Sequence, residues 1–225
     1  SNGQWYYLDS DGYMAKDQVI EDDNDKYYVG SDGARVTNAW VSMDNDDRLD
    51  DDEEPESIDT VWMFFDGSGK AIGFGENEEV VKKLSYGDGQ SAYFMFNTDG
   101  YMLSGWKDRN GDLYYLGDQN EGWARTGWQQ LEVDINLPVF QALDEDDDGE
   151  EEWFYFKPSN GKAYKNTTQG YNGKTYVFDE YGRMLDLWTY KSNGVDYSNN
   201  ASSSSAYATP AGATPSSVAA YYAED

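Results

Sequence analysis

The sequence predicts an all-β chain built of β-hairpin repeats stacked as a solenoid, and three observations carry that reading. An aromatic run closed by a glycine turn recurs along the chain. The apolar content is only 38% of 225 residues, and much of it is aromatic, with 20 Tyr, 9 Phe and 8 Trp. Leu, Ile and Val are sparse, so the filling of a large spherical core is missing. Large rings that bury much area each, and carry polar tips on Tyr and Trp, can instead hold together a thin stack of repeats.

Aligned on the glycine, seven copies follow in order. The first two are Trp5-Tyr6-Tyr7-Leu8 running to Gly12 and Lys26-Tyr27-Tyr28-Val29 running to Gly33. The next two are Trp62-Met63-Phe64-Phe65 to Gly69 and Tyr93-Phe94-Met95-Phe96 to Gly100. Leu113-Tyr114-Tyr115-Leu116 reaches Gly122 with two extra residues, and Trp153-Phe154-Tyr155-Phe156 reaches Gly161 with one. Thr175-Tyr176-Val177-Phe178 to Gly182 closes the set. Tyr, Phe and Trp favour the pleated surface of a strand. The Asp-Gly or Asn-Gly that follows is a turn signal, since glycine accepts positive φ. A second short strand is then expected to run toward Trp40, Trp106, Trp128 or Trp188. A lone hairpin is marginal, so the copies must stack.

The copies fill residues 1–188, and the low-complexity Ser, Ala, Thr and Pro composition of 189–225 reads as a tail or linker. Glu76 to Leu84 has acidic residues leading and lysines following, which suits a short helix at 76–84. Three acidic runs, Glu21 to Asp25, Asp44 to Glu56 and Asp144 to Glu152, read as loops between hairpins. The last has eight carboxylates in nine residues. Like charges repel, which favours a solvated loop. The order Asp144-x-Asp146-x-Asp148-Gly149 also matches the start of a calcium loop, so Ca²⁺ held by Asp144, Asp146 and Asp148 is the metal these residues suggest. Its twelfth position is Tyr155 rather than Glu, so the expectation is a looser site than an EF-hand.

The formal net charge of −28 excludes nucleic acid and anionic membrane as partners. No apolar run is long enough for a membrane helix. The opening Ser1-Asn2-Gly3-Gln4-Trp5 reads as the middle of a repeat in a longer exported chain. With no His and no Cys, triads, thiolate nucleophiles and His-bound zinc are excluded. The carboxylates crowd into loops without a pocket to raise one pKa, so an enzyme is not expected.

Ser104-Gly105-Trp106-Lys107, followed by Asn110-Gly111-Asp112-Leu113-Tyr114-Tyr115, and then Thr126-Gly127-Trp128, resembles the cell-wall-binding repeats of Gram-positive surface proteins. That family includes choline-binding modules and the related glucan-binding repeats. The resemblance implies ligand sites between consecutive hairpins, where rings form a box for a quaternary ammonium or stack on a sugar. Carried over by position, Trp40 would face Trp62, Trp128 would face Trp153, and Trp106 would face Tyr114 or Tyr115, with Leu113 removing one wall. Gln18 and Thr167 stand where a Trp belongs, and Asn38-Ala39-Trp40 keeps the Trp but lacks the Gly.

The expected function is a non-catalytic cell-wall or carbohydrate-binding module, extracellular and attached to the cell surface. Its partner would be choline-substituted teichoic acid or a glucan. The alternative is an adhesive stalk in which the repeats are only a scaffold for a protein partner, with every Trp packed shut. The oligomeric state is not legible.

Overall fold

A computed structural model describes residues 3–44, 60–87, 89–172, 174–192 and 195–199, with 186–199 described by backbone alone. The strands are β1 (Gln18–Asp22), β2 (Asp25–Val29), β3 (Ala39–Asp44), β4 (Thr60–Phe65), β5 (Val80–Tyr86), β6 (Gln90–Phe96) and β7 (Trp106–Arg109). They continue as β8 (Asp112–Tyr115), β9 (Gly127–Glu132), β10 (Glu151–Phe156), β11 (Thr167–Tyr171), β12 (Lys174–Phe178), β13 (Met184–Ser192) and β14 (Val195–Asn199). Strands pair in sequence order as two-stranded antiparallel sheets from β1–β2 to β9–β10, and a four-stranded sheet of β11 to β14 ends the series. The chain divides into two compact units, Ser1–Lys107 with Tyr115–Arg125, and Asp108–Tyr114 with Thr126–Asp225.

The hairpins differ in phase from the sequence reading. Each pair joins a strand of the Trp position to the aromatic strand that follows it. Trp40 lies opposite Phe64 and Trp128 opposite Tyr155. The glycine turns that follow β2, β4, β6 and β10 make only a single bridge: Val29 with Arg35, Phe65 with Ala71, Phe96 with Met102, Phe156 with Ala163, whereas the turn at Gly182 joins β12 to β13 as a longer pair. At Gly69, Gly100 and Gly182 the turn is held by the residue three before the glycine, whereas at Gly33 Asp32 Oδ1 accepts the Ala34 N–H at 2.9 Å. Asp66 Oδ1 accepts the N–H groups of Ser68 and Lys70. Asn97 Oδ1 accepts those of Asp99 and Tyr101, and Asp179 Oδ1 those of Tyr181 and Arg183. Such short side chains mimic a backbone turn.

One backbone bond ties each repeat to the one before it. In the first unit Arg35 N–H donates to the Trp5 carbonyl, Ala71 to Lys26, Met102 to Trp62 and Ala124 to Tyr93, each at 2.8 Å. In the second, Ala163 donates to Leu113 at 2.8 Å. Ion pairs recur at the same step, Lys70 with Asp25 in one unit and Lys162 with Asp112 in the other. This rung-by-rung register is the stacking that the repeats predict.

The core is phenyl rather than indole. Phe65, Phe96 and Phe156, each the last residue of an aromatic strand, are fully buried, as are Phe94 and Phe154 within theirs. Among the described residues no Trp side chain is buried. Phe has no polar tip to satisfy, so it fills the interior while Trp and Tyr keep an edge in water.

Three expectations need correction. Residues 80–86 form β5, not a helix: Val80 and Val81 are β-branched, Leu84 and Tyr86 alternate inward, and pairing with β6 supplies the backbone partners. The first and third acidic runs lie at hairpin tips, not between hairpins. Glu21 and Asp22 end β1, Asp25 begins β2, Asp144–Glu150 lies in the β9–β10 connection, and Glu151 and Glu152 open β10. Residues 45–56 of the second run lie outside the described residues. The strands also run past the boundary at 188, through β13 and β14 to Asn199, because Trp188 to Ser192 finds partners in β14.

Candidate functional site

The tryptophans are placed by the residue at which their strand begins. Gly127 (φ 74°) and Gly105 (φ 67°) take left-handed backbone just before or at the first strand residue. Asn38 (φ 50°) does the same ahead of Trp40, and its N–H donates to the Asp66 carbonyl at 3.0 Å. The missing glycine at Asn38 is therefore no loss, since Asn is the side chain that best tolerates this region.

In the second unit Trp128 is the centre of an aromatic cleft. Its ring centroid lies 4.7 Å from Tyr176, 5.0 Å from Tyr155 and 6.1 Å from Tyr171, all edge-on, and 5.9 Å from Phe178 in a stacked arrangement. Tyr155 in turn stacks on Tyr164 at 5.5 Å. These rings, with Gln169 and Gly170, enclose a cavity of about 50 Å³. A single water needs roughly 10–15 Å³ on the same measure, so a group larger than water fits. Phe178 is the buried floor, while Trp128, Tyr155, Tyr164 and Tyr176 are half-buried and Tyr171 is exposed. Burial, then the neighbouring Tyr171 and Tyr164, pushes the Tyr155 phenol up, which keeps it neutral. Lys157 Nζ sits 5.0 Å from the Tyr164 centroid.

The first unit holds an equivalent set around Trp40: Phe64 at 5.1 Å, Phe94 at 4.7 Å and Phe96 stacked at 5.8 Å. Phe94 and Phe96 are buried, and the Trp40 indole N–H donates to the Ser85 carbonyl at 3.4 Å. Trp40 is thus packed on phenyl rings where Trp128 is ringed by tyrosines.

Of the residues singled out in sequence, Trp128 and Trp153 do meet, edge-on at 6.3 Å, with Trp153 exposed. Trp40 and Trp62 are offset by register. Phe64 stands opposite Trp40, Trp62 stands opposite Ser42, and the Trp62 indole N–H donates to Asn120 Oδ1 at 3.2 Å. Trp106 faces Tyr115 at 5.0 Å. Tyr114 is buried instead, its phenol raised first by burial, beside Lys162 and Asp112. Tyr155, Tyr164, Tyr171, Tyr176 and Phe178 were missed. The signal was the shared place of Tyr155 and Phe64 two residues after the first aromatic, which register, not spacing alone, sets opposite the Trp.

Asp144, Asp146 and Asp148 do not assemble a metal site. A 3₁₀ turn spans Glu145–Asp147. Asp147 receives Arg183 Nη1 at 2.7 Å and the Asp144 N–H at 3.3 Å, and Asp148 Oδ1 accepts the Ile135 N–H at 3.2 Å. Among the described residues no group of three or more acidic side chains is placed to hold an ion. The turn is anchored, because Phe140 beneath it is fully buried against Phe154 at 6.4 Å. The Asp147 and Asp148 carboxylates are taken up in fixing the insertion.

A family model described as a choline-binding repeat matches residues 1–40. Among solved structures, the chain is similar to CbpJ from Streptococcus pneumoniae TIGR4, at 20% identity over 93% of this chain and 78% of that one, with a TM-score of 0.52. It is similar to CbpF in complex with ipratropium, at 20% identity over 88% and 68%, with a TM-score of 0.50. A further similar structure is choline binding protein F from Streptococcus pneumoniae, at 19% identity over 86% and 69%, with a TM-score of 0.48. No curated protein sequence matches the chain. The first two likenesses establish the fold as the all-β hairpin repeat architecture of choline-binding proteins.

Proposed function

We propose that the chain is a non-catalytic module that holds its protein on the bacterial cell wall by taking choline headgroups of a wall polymer into the Trp128 cleft. The observation that carries this reading is the cleft itself, where Trp128, Tyr155, Tyr164, Tyr171 and Tyr176 gather around a cavity of about 50 Å³. A quaternary ammonium cannot donate a hydrogen bond and is held by ring faces, at ~0.5–2 kcal/mol per contact. Neutral phenols and one indole suit that task, and a Phe178 floor excludes water.

The net charge of −28 acts in the same direction. It draws a cationic headgroup while repelling the bare phosphates of a teichoic acid chain. The match of residues 1–40 to a choline-binding repeat supports the ligand class and, with it, a place outside the cell. The rival stalk needs its tryptophans packed shut. That none of the described ones is buried favours a binding surface.

Retention on a choline resin, with an α-glucan resin beside it, tests the reading. We expect retention on choline, release by free choline, and no effect of Ca²⁺. Retention on glucan that glucan alone reverses would transfer the cleft to a sugar, and retention on neither would overturn the proposal.

A further inference from the structure

Arg35 occupies an aromatic junction in the first unit. Its guanidinium carbon lies 5.4 Å from the Trp5 centroid and 5.4 Å from the Tyr27 centroid. Among the described residues, Arg35 Nε is the one buried side-chain nitrogen or oxygen without a hydrogen-bond partner. A buried, unpaired donor is costly, and here the ring faces supply the compensation. The stem rests on Gly69, where a Cβ would come within 2.8 Å of Arg35 Cδ. The Arg35 backbone N–H is fixed to the Trp5 carbonyl at 2.8 Å, so the side chain is delivered to this place by the stacking register.

At the equivalent rung of later repeats stand Ala71, Met102, Ala124 and Ala163, all uncharged. Arg35 is the departure, within the stretch that matches a choline-binding repeat. Lys26 repeats the arrangement with Nζ 4.3 Å from the Phe74 centroid and 5.5 Å from Tyr101.

We propose that the Trp5–Tyr27 junction is a second ammonium site, held shut by Arg35 as its built-in cation. The geometry explains why a ring pair with Trp5 68% exposed is not free for ligand: a covalently tethered guanidinium already sits on both ring faces. What closes this junction is one guanidinium held against two rings at once, where Lys157 in the Trp128 cleft meets Tyr164 alone. This inference rests on the reading of aromatic junctions as ammonium sites.

The test is a choline titration by calorimetry in a Trp128→Ala background, which separates it from the Trp128 cleft. Trp128→Ala alone is expected to take no choline. Trp128→Ala with Arg35→Met, the side chain found at Met102, is expected to gain one choline per chain. Trp128→Ala with Arg35→Lys keeps a cation at the junction and is expected to gain none. Should the Met variant not fold, Arg35→Ala serves in its place. A folded Met or Ala variant that takes no choline overturns the proposal, as does a Lys variant that takes as much as the Met variant. If the wild-type chain binds nothing while the double variant binds, the Trp128 reading falls and this one stands.

Discussion

Tyr155 stands directly across the strand pair from Trp128, with ring centroids 5.0 Å apart and planes at 74°. Phe64 holds the same place against Trp40 at 5.1 Å and 72°. The next hairpin repeats the correspondence, Tyr176 and Phe94 each at 4.7 Å from their tryptophan. One scaffold therefore serves two ends, a phenyl-packed joint and a tyrosine-ringed cleft. The difference lies in hydroxyls and in two further positions: Tyr171 in β11 corresponds by register to Leu84 in β5, and Tyr164, whose N–H donates to the Tyr155 carbonyl, stands where Ile72 donates to Phe64.

The Tyr171 position gives a direct prediction. Tyr171 is 39% exposed, so Tyr171→Leu should leave the melting temperature nearly unchanged, since surface changes cost within ~0.5 kcal/mol. Removing one ring face should weaken choline binding several-fold, on the order of 1 kcal/mol. Paired melting and choline titrations check both halves.

Asp66 gives a pH dependence. Burial would raise its carboxyl, but the Ser68 hydroxyl and the amides of Lys70, Ser68 and Gly69 outweigh it and hold the group below its ordinary 3.8. A folded-state pKa below the unfolded one means the folded chain binds that proton less readily. The contribution is fully present above about pH 4 and is lost as pH falls through the lowered value. Asp66→Ala should cost about 1 kcal/mol at neutral pH and flatten the acid limb of the stability curve, as read by urea melts across pH.

Asn38 tests the backbone requirement ahead of Trp40. At φ 50°, Asn38→Gly should be neutral within a few tenths of a kcal/mol. Asn38→Val should cost about 1–2 kcal/mol, because a β-branched residue is poorly accommodated there. Chemical denaturation of the two variants side by side distinguishes strain from a lost side-chain contact.

Phe140 anchors the acidic insertion. Truncation of this fully buried ring should cost roughly 3–5 kcal/mol and raise hydrogen exchange across 134–150 before it does so in β9 and β10. The Arg183–Asp147 ion pair at 2.7 Å should not hold the segment alone.

The repeats and the strands were legible because aromatic runs and glycine turns leave a periodic trace. The phase of the hairpins was not. An Asp-Gly after an aromatic run looks like a hairpin turn, yet here it closes a single bridge, such as Phe65 with Ala71. The true tips of the β1–β2 and β9–β10 hairpins are acidic runs, whose charge reads as loop. Register also hid the partners: Trp62 was the nearest aromatic in pattern to Trp40, but β3–β4 pairing puts Phe64 opposite it. Residues 76–84 misled because leading glutamates and following lysines carry helix signals that strand pairing from Val80 overrides. Asp144, Asp146 and Asp148 read as ligands, and only the fold brings Arg183 to Asp147 between them.

The central claim is that the Trp128 cleft binds a quaternary ammonium, and calorimetric titration of choline into wild-type chain and Trp128→Ala tests it most directly. The account predicts saturable binding to the wild type, and affinity lowered at least tenfold in a variant that retains its β-sheet circular dichroism. Equal affinity in the two folded proteins would contradict it.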